Sequence, residues 1–412
     1  MSSVAVLGSS FGDEAKAKIV DVLAESADII FRFQGGSNAG HTIKANGEKY
    51  ILHLIPSGIL YQKQICVLGA GVVIDPFDLL EEMNSLKEKG IDFEDRFFID
   101  ERAFLVLPIH KKIDASSEIK TQKIGTTNRG IGPTYSDAIG RYGIRFGDLF
   151  DNDYLQERVN NLYSKHDAKI PHNLINDLLE SADKLRSFKK NAAYYINEQY
   201  RLGKKIIFEG AQGSLLDIFF GTYPFVTSSH TISGGISVGS GFPPKNIDKI
   251  IGVFKSYYTR VGEGPFPTEL HNKDGEKIRK QGNEFGSTTG RPRRCGWFDV
   301  VAAKYTTMIN GFDEAALTLL DVLSGFEKIK ICTSYTIDGK KTTQFPSSAK
   351  ICGRAKPNYI ELDGWKEDIT KVKNIDNLPE NAKKFVSKIE ELLEIPITII
   401  SVGADRAQTI YV

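Results

Sequence analysis

Residues 8–18 constrain the fold of this chain more than any other stretch, because they join a strand pattern to a helix pattern. The apolar residues 4–7 are typical of a buried strand, and apolar residues recur at helical spacing from Ile19 onward. A glycine loop with a lysine between strand and helix offers N–H groups and positive charge to phosphate. Asp13 also lies in this loop, where its carboxylate would repel phosphate unless it binds a metal or moves a proton. The stretch therefore predicts an α/β fold whose first loop takes part in chemistry.

The composition is that of an ordinary globular chain and excludes several classes of protein. The 412 residues carry a net charge of +1, which favours neither nucleic acid nor an anionic membrane as a partner. The four cysteines form no Cys-x-x-Cys pair, so neither a zinc site nor a disulfide framework is indicated. No apolar run is long enough to span a bilayer, and no signal peptide is visible. We therefore expect a cytoplasmic protein.

Strand-like and helix-like segments alternate along much of the chain. Strand-like apolar runs occur at residues 29–33, 51–54, 65–68, 205–208, 250–254, 316–320, 329–335 and 397–401. Helical patterns occur at residues 77–87, 300–308 and 379–393, and a helical excursion from the sheet is expected over about residues 151–204. This alternation predicts an α/β fold with a mostly parallel central sheet. Because no repeat and no low-complexity linker interrupts it, we interpret residues 1–412 as a single large domain.

Polar, glycine-rich loops follow several of these strands. Residues 34–42 include an amide and an imidazole beside glycines, and residues 286–294 combine arginines and hydroxyls that suit a dianion or a carboxylate. Residues 125–133 and 208–213 form similar loops. Taken singly, each loop is also compatible with a polar surface turn. Asp321 follows a strand-like run. Its carboxylate could cap the next helix, or it could accept N–H bonds from the edge of a guanine base.

Taken together, ten ordered blocks of this sequence resemble the adenylosuccinate synthetase family over nearly the whole chain. The blocks are residues 12–21, 34–42, 53–58, 124–127, 129–133, 208–213, 221–224, 226–229, 264–270 and 288–291. The resemblance implies a P-loop-like GTP-binding loop and the GTP-dependent ligation of L-aspartate to IMP with Mg²⁺. The implied products are adenylosuccinate, GDP and phosphate, formed through a 6-phosphoryl-IMP intermediate in de novo AMP synthesis.

The resemblance also assigns roles to the residues of the first two loops. Asp13 would remove the N1 proton of IMP, so that O6 can attack the γ-phosphate of GTP. Asp13 would also bind Mg²⁺, with the backbone carbonyl of Gly40 as a second ligand. His41 would act as the acid toward the transferring phosphate, and Lys16 would hold the phosphates. The implied catalytic residues are therefore Asp13, His41 and Lys16.

Three substrates are implied, each with its own set of residues. IMP would contact Asn38, Thr127, Arg141, Gln212, Thr227 and Arg291. L-Aspartate would contact Ser287, Thr288, Thr289, Gly290, Arg291 and Arg293. GTP would contact Gly12, Glu14, Ala15, Lys16, Ala17, Lys18, Gly40, Thr42, Arg293, Leu319, Asp321, Ser401 and Gly403. Arg141 matches an arginine that reaches the IMP phosphate of a neighbouring subunit, so the resemblance implies a homodimer with shared sites.

The chain departs from the family pattern mainly on the triphosphate side. Ala15 and Ala17 stand where the family usually has glycine, which costs about 1 kcal/mol if φ is positive and nothing if the residue is helical. Leu319 replaces a usual lysine, and Asn128 replaces a glycine at a position where asparagine tolerates positive φ. These changes leave two alternatives open. One is a paralogue that uses ATP as donor or GMP or dGMP as acceptor, and the other is a catalytically weakened nucleotide-binding or regulatory member.

Overall fold

The computed structural model of the chain describes residues 2–45, 48–120, 124–286 and 290–412, with only the backbone for residues 41, 42, 44, 45, 48, 49 and 118–120. Its strands are β1 (Ser3–Gly8), β2 (Ile29–Arg32), β3 (His41–Ala45), β4 (Glu48–Leu52), β5 (Ile65–Leu68), β6 (Val73–Ile74), β7 (Phe97–Asp100), β8 (Phe104–Leu105), β9 (Lys189–Lys190), β10 (Ile206–Glu209), β11 (Lys249–Lys255), β12 (Tyr258–Arg260), β13 (Arg294–Gly296), β14 (Phe298–Asp299), β15 (Glu314–Thr318), β16 (Lys328–Ile337), β17 (Lys340–Thr342), β18 (Lys356–Asp363), β19 (Ile397–Ser401) and β20 (Thr409–Tyr411). Its helices are α1 (Lys16–Ala24), α2 (Pro76–Glu88), α3 (Pro108–Lys120), α4 (Ile131–Ile139), α5 (Asn152–Lys165), α6 (Leu174–Leu185), α7 (Ala192–Arg201), α8 (Gly234–Ser240), α9 (Lys273–Gln281), α10 (Val300–Asn310), α11 (Ala349–Cys352) and α12 (Glu380–Leu393).

Ten of these strands form one central sheet, in the order β20-β19-β15-β11-β1-β10-β2-β5-β7-β9. Neighbouring strands in it are parallel, except for β19 and β20, which are antiparallel. The first strand of the chain is therefore a central strand of the sheet. Because the carboxyl ends of parallel strands lie at one edge, the loops that follow them meet at that edge, where α/β proteins bind ligands.

The central strands are apolar on both faces. In β1, Ala5 and Leu7 pack into one buried cluster, and Val6 packs into a second cluster on the opposite face. In β2, Phe31 belongs to the first cluster and Ile30 to the second. All five side chains are fully buried. A parallel sheet covered by helices on both sides requires this pattern, which explains why these strands appear in the sequence as continuous apolar runs.

Smaller sheets surround the central one. β3 and β4 form an antiparallel pair, and β16 pairs with β14, β17 and β18 in a four-stranded sheet. The predicted strand at residues 329–335 therefore belongs to this second sheet, and the one at residues 51–54 overlaps β4 of the antiparallel pair. The prediction of an α/β fold with a mostly parallel central sheet is confirmed.

Three helices, α5, α6 and α7, occupy the stretch in which a helical excursion was expected. Leu155 of α5 and Leu178 of α6 pack into one of the two clusters that flank the central sheet, whereas Ile196 of α7 packs into the other. The two-residue strand β9 lies between α6 and α7 and pairs with β7 at the edge of that sheet. None of the helices in the described ranges is long and apolar enough to cross a membrane.

Candidate active site

A cleft of about 400 Å³ opens at the carboxyl edge of the central sheet. The loop after β1 contributes Asp13, the loop after β2 contributes Asn38 and Gly40, and the loop after β10 contributes Gln212. More distant segments contribute Thr127, Thr227 and Arg293 to the same walls. Residues expected at the catalytic, metal, IMP and aspartate sites therefore lie around one cavity.

The loop between β1 and α1 contains two residues with positive φ. Gly12 has φ 110°, and Ala15 has φ 60° and ψ 35°, which is the left-handed region. For a residue with a Cβ atom, the left-handed conformation is less favourable than the right-handed one by roughly 1–2 kcal/mol. Ala17 differs because it is buried in the first turn of α1, where alanine is the best helix former. Of the two alanines at usual glycine positions, only Ala15 has a strained backbone.

The carboxylate of Glu14 is fully buried and occupies the centre of this loop. Its Oε1 atom accepts N–H groups from Ser10 at 2.9 Å and Gly12 at 2.8 Å, and its Oε2 atom lies 2.7 Å from Lys16 Nζ. Lys16 also donates to the carbonyl of Gly12 at 2.8 Å. The loop thus holds an anion with two amides and an ammonium, which is the donor set that a phosphate group requires.

Asp13 faces the cleft and forms an ion pair with Arg293. Its Oδ1 atom lies 2.8 Å from Arg293 Nη2. Burial raises the pKa of Asp13 above its ordinary value, although Arg293 and Lys255 each lower it. A carboxylate with a raised pKa accepts protons better than an exposed one, which is the property a general base needs.

Arg293 is held from behind by Glu284, a residue that the sequence patterns did not indicate. Glu284 Oε2 lies 2.8 Å from Arg293 Nη1, and Glu284 Oε1 lies 2.6 Å from Lys255 Nζ. Tyr257 donates its hydroxyl to the same carboxylate. Burial alone would raise the pKa of Glu284, but Lys255 and Arg293 outweigh it and hold the pKa below its ordinary value. The available signal was Lys255, a charged residue that directly follows the apolar residues 250–254 of β11.

The side of the cleft at which IMP is expected contains linked side-chain amides. Asn38 Oδ1 accepts from Gln212 Nε2 at 3.1 Å and from the backbone of Gly36 at 3.2 Å. Gln212 itself has φ 58°, and its Oε1 atom is buried without a hydrogen-bond partner among the described residues. Asn128 has φ 55°, the positive value that its asparagine was expected to tolerate. The amide pair leaves an acceptor that a ligand N–H can satisfy.

Lys18, which does not line the cleft, connects α1 to the C-terminal loop. Its ammonium donates to Ser401 Oγ at 2.6 Å, to the carbonyl of Gly403 at 2.7 Å and to that of Gln408 at 2.9 Å. Burial lowers the pKa of Lys18 to about 8. An ammonium has three protons, so these bonds use all of its donors. Asp321 lies near this lysine, and its Oδ1 atom is buried without a partner in the described part of the chain.

Some expected site residues lie elsewhere or outside the described residues. Arg141 is exposed, has φ 68° and does not line the cleft of its own chain. Arg291 is also exposed, and Leu319 has φ 56° at the end of β15. The backbone of His41 and Thr42 begins β3, but their side chains lie outside what the structure describes, as do Ser287, Thr288 and Thr289 altogether. Gly290, with φ 64°, follows that last segment.

A sequence model of the family described as adenylosuccinate synthetase matches residues 5–410 of this chain. The chain belongs to the adenylosuccinate synthetase family. Adenylosuccinate synthetase of Clostridioides difficile is 49% identical over 423 residues, covering 100% of this chain and 98% of the relative. The enzyme of Pelobacter propionicus shows the same identity and coverage. The resemblance carried by the ten sequence blocks is thereby confirmed.

Solved structures agree with this assignment. Fully ligated adenylosuccinate synthetase from Plasmodium falciparum superimposes with a TM-score of 0.96 at 42% identity, covering 100% of both chains. A succinoaminodeoxyadenylate synthetase of cyanophage S-2L, bound to dGMP and dATP as an energy donor, gives a TM-score of 0.65 at 18% identity. It covers 99% of this chain and 94% of its own. At that identity the phage enzyme shows a shared fold alone.

Proposed function

We infer that this member of the adenylosuccinate synthetase family is a ligase of purine biosynthesis that joins L-aspartate to IMP at the expense of GTP. The products are adenylosuccinate, GDP and phosphate. The observation that carries this inference is the position of Asp13, a carboxylate in a phosphate-type loop that shares one cleft with Asn38 and Gln212. Full-length relatives with 49% identity support the same reaction.

Asp13 begins the reaction by accepting the N1 proton of IMP, which leaves an electron pair that makes O6 nucleophilic. A bond then forms between O6 and the γ-phosphorus of GTP, and the bond from that phosphorus to the bridging oxygen of GDP breaks. His41 donates a hydrogen bond to the transferring group, and Lys16 holds the phosphates. The amine of aspartate next attacks C6, and phosphate leaves with the electron pair of the C6–O6 bond. The nitrogen that has joined C6 gives up one proton, which the released phosphate accepts.

Asp13 and Gly40 would hold Mg²⁺, the first through its carboxylate and the second through its backbone carbonyl. Both residues line the cleft. Among the described residues no group of three metal-binding side chains occurs, and Mg²⁺ is usually bound by one or two carboxylates together with substrate phosphates. The donor set therefore fits this ion. When bound, Mg²⁺ would neutralise negative charge on the phosphates of GTP.

The three substrates meet at Asp13. IMP would lie against Asn38, Thr127, Gln212 and Thr227, which line the cleft. Arg291, Arg293 and residues 287–290 would bind aspartate. The triphosphate would bind at Gly12, residues 14–18, Gly40, Thr42 and Arg293. The base of GTP would bind at Leu319, Asp321, Ser401 and Gly403. The unpartnered buried oxygen of Asp321 favours guanine, whose edge offers N–H groups to a carboxylate.

A second subunit would complete the IMP site. Arg141 is exposed and lies outside the cleft of its own chain, so it is available to a neighbour. We propose a homodimer in which Arg141 of each subunit reaches the IMP phosphate of the other. A single domain over residues 1–412 with the helical excursion, and a cytoplasmic location, stay predictions.

The substitution Asp13→Ala tests the proposed role of Asp13. General base catalysis contributes roughly 10²–10⁴-fold, so turnover of IMP, GTP and aspartate should fall by at least about a hundredfold. The variant should keep the thermal unfolding transition of the parent, which shows that the fold is intact. Activity within about tenfold of the parent, a change of about 1.4 kcal/mol, would contradict the assignment. The half-buried Asp274, at the first turn of α9 and outside the lining of the cleft, offers a matched control, and Asp274→Ala should leave turnover unchanged.

A further inference from the structure

Asp13 is the first member of a row of four charged side chains that runs from the cleft into the protein. Arg293 bridges two carboxylates, with Nη2 at 2.8 Å from Asp13 Oδ1 and Nη1 at 2.8 Å from Glu284 Oε2. Behind Glu284 lies Lys255, with its Nζ atom 2.6 Å from Glu284 Oε1. The row therefore alternates in charge and sums to zero.

The inner members of this row are almost completely buried. Glu284 is 1% exposed and Lys255 is 2% exposed, whereas Asp13 and Arg293 face the cleft. A buried ion pair that loses one partner leaves an uncompensated charge, which is strongly unfavourable. Removal of the charge on Glu284 would leave Lys255 and Arg293 as two adjacent cations with only Asp13 to balance them. Arg293 would then move away from its present position.

Glu284 also lies at the base of the loop that is proposed to bind aspartate. The backbone N–H of Arg293 donates to the carbonyl of Glu284 at 2.9 Å, and Gly286 donates to the carbonyl of Arg291 at 2.8 Å. Arg279 Nε donates to the carbonyl of Arg293 at 2.9 Å. These bonds close the loop at its base, so the side-chain pair and the backbone hold Arg293 in one place.

Arg293 still has capacity for a ligand. Its Nε atom is buried and has no hydrogen-bond partner among the described residues. A guanidinium carries five donors in a fixed plane, so two bonds to Asp13 and Glu284 set the direction in which the remaining donors point. The orientation of Arg293 toward a substrate oxygen is therefore set by Glu284.

We propose that Glu284 is a positioning residue, which holds Arg293 against Asp13 and so couples the aspartate-binding loop to the proton-accepting carboxylate. This inference rests on the role proposed above for Asp13. Glu284 touches no substrate in this account and acts only through Arg293. Lys255 and Tyr257, which both contact the Glu284 carboxylate, keep it in place.

The test compares Glu284→Gln with Glu269→Gln in steady-state kinetics. Glu269 makes the equivalent pair with the next arginine, since its Oε1 atom accepts from Arg294 Nε at 2.8 Å, but neither residue lines the cleft. Because small displacements of a positioned group cost up to about a hundredfold, Glu284→Gln should lower kcat by about ten- to a hundredfold. KM for aspartate should rise, and KM for IMP should stay within about threefold. For Glu269→Gln, kcat, KM for aspartate and KM for IMP should each stay within about threefold of the parent values.

A double-mutant cycle separates positioning through Arg293 from a general loss of structure. If Glu284 acts only through Arg293, the double variant of Glu284→Gln and Arg293→Gln should be no slower than Arg293→Gln alone. A loss equal to the product of the two single losses would overturn the inference, as would parent-like kcat for Glu284→Gln. If Glu284→Gln does not fold, Glu284→Asp replaces it in the same cycle, because aspartate keeps the charge but shortens the reach. Parent-like kcat for that variant would equally overturn the inference.

Asp13→Ala in the same assay distinguishes a failure of the role proposed for Asp13 from a failure of the role proposed for Glu284. If Asp13→Ala keeps parent-like turnover, the proposed role of Asp13 fails. If Asp13→Ala is inactive and Glu284→Gln turns over like the parent, only the role of Glu284 fails.

Discussion

The two alanines of the first loop should respond to the same substitution with opposite signs. Ala15 has φ 60° and ψ 35°, whereas Ala17 is helical and buried. Glycine adopts the left-handed region without strain, so Ala15→Gly should stabilise the protein, and Ala17→Gly should destabilise it. Each variant is the matched control for the other, because the exchange is the same and the positions are two residues apart.

The magnitudes follow from the local conformations. At Ala15, relief of roughly 1–2 kcal/mol of left-handed strain is partly offset by about 0.5–1 kcal/mol of extra chain entropy in the unfolded state. We expect the free energy of unfolding to rise by about 0.5–1 kcal/mol. At Ala17, glycine loses about 1 kcal/mol of helix propensity and also the burial of one methyl group. The two variants should therefore differ by about 2 kcal/mol.

Differential scanning calorimetry at one scan rate is a suitable assay. An unfolding entropy of roughly 2.1 cal/mol/K per residue means that 1 kcal/mol shifts Tm by about 1 °C in a chain of 412 residues. Ala15→Gly should melt above the parent and Ala17→Gly below it, about 2 °C apart. A lower Tm for both variants would refute the assignment of strain to Ala15.

Three further substitutions test the contact of Lys18 with the C-terminal loop, the proposed guanine site and a buried aspartate. Lys18→Met removes three hydrogen bonds to the C-terminal loop. The variant should therefore have a KM for GTP that is raised about tenfold and an unchanged KM for IMP. An unchanged KM for GTP would contradict a role of this loop in binding GTP. Asp321→Ala should raise KM for GTP more than KM for ATP, because only guanine offers two N–H groups to the carboxylate, and equal changes would argue against base recognition. Asp299, buried at the start of α10, has its pKa raised to about 6 by burial, so its ionisation costs stability as pH rises from about 4 to 6. Relative to Asp299→Asn, the parent should therefore lose about 2 kcal/mol of unfolding free energy between pH 4 and pH 7, and a constant difference would contradict this.

Local patterns in the sequence predicted those parts of the fold that local forces determine. The helical pattern at residues 379–393 corresponds to α12, and the apolar run at residues 397–401 to β19, because each has a single clear periodicity. The sheet to which a strand belongs is a long-range property. The run at residues 329–335 has the same apolar character as the central strands, yet it pairs with β18 in the second sheet.

In the candidate site, too, local features could be predicted from the sequence and long-range contacts could not. Its loops could be found from glycine and charge, since they follow apolar runs. The backbone conformations of Ala15 and Ala17 could not be predicted in this way. They depend on the residue at which α1 begins, because Ala15 lies just before that residue and Ala17 just after it. Glu284 was missed because its partners, Lys255 and Arg293, lie 29 and 9 positions away and are brought to it only by the fold.

The proposed reaction is tested most directly by a substrate cross with the pure protein and Mg²⁺. L-Aspartate is supplied throughout, IMP, GMP and dGMP are each combined with GTP and ATP, and phosphate release is followed together with product mass. We expect phosphate and adenylosuccinate in equal amounts from IMP with GTP, and much slower turnover from the other pairs. Turnover with dGMP and ATP but none with IMP and GTP would contradict the account and favour the paralogue with altered nucleotide specificity. Binding without turnover for every pair would favour the catalytically weakened member.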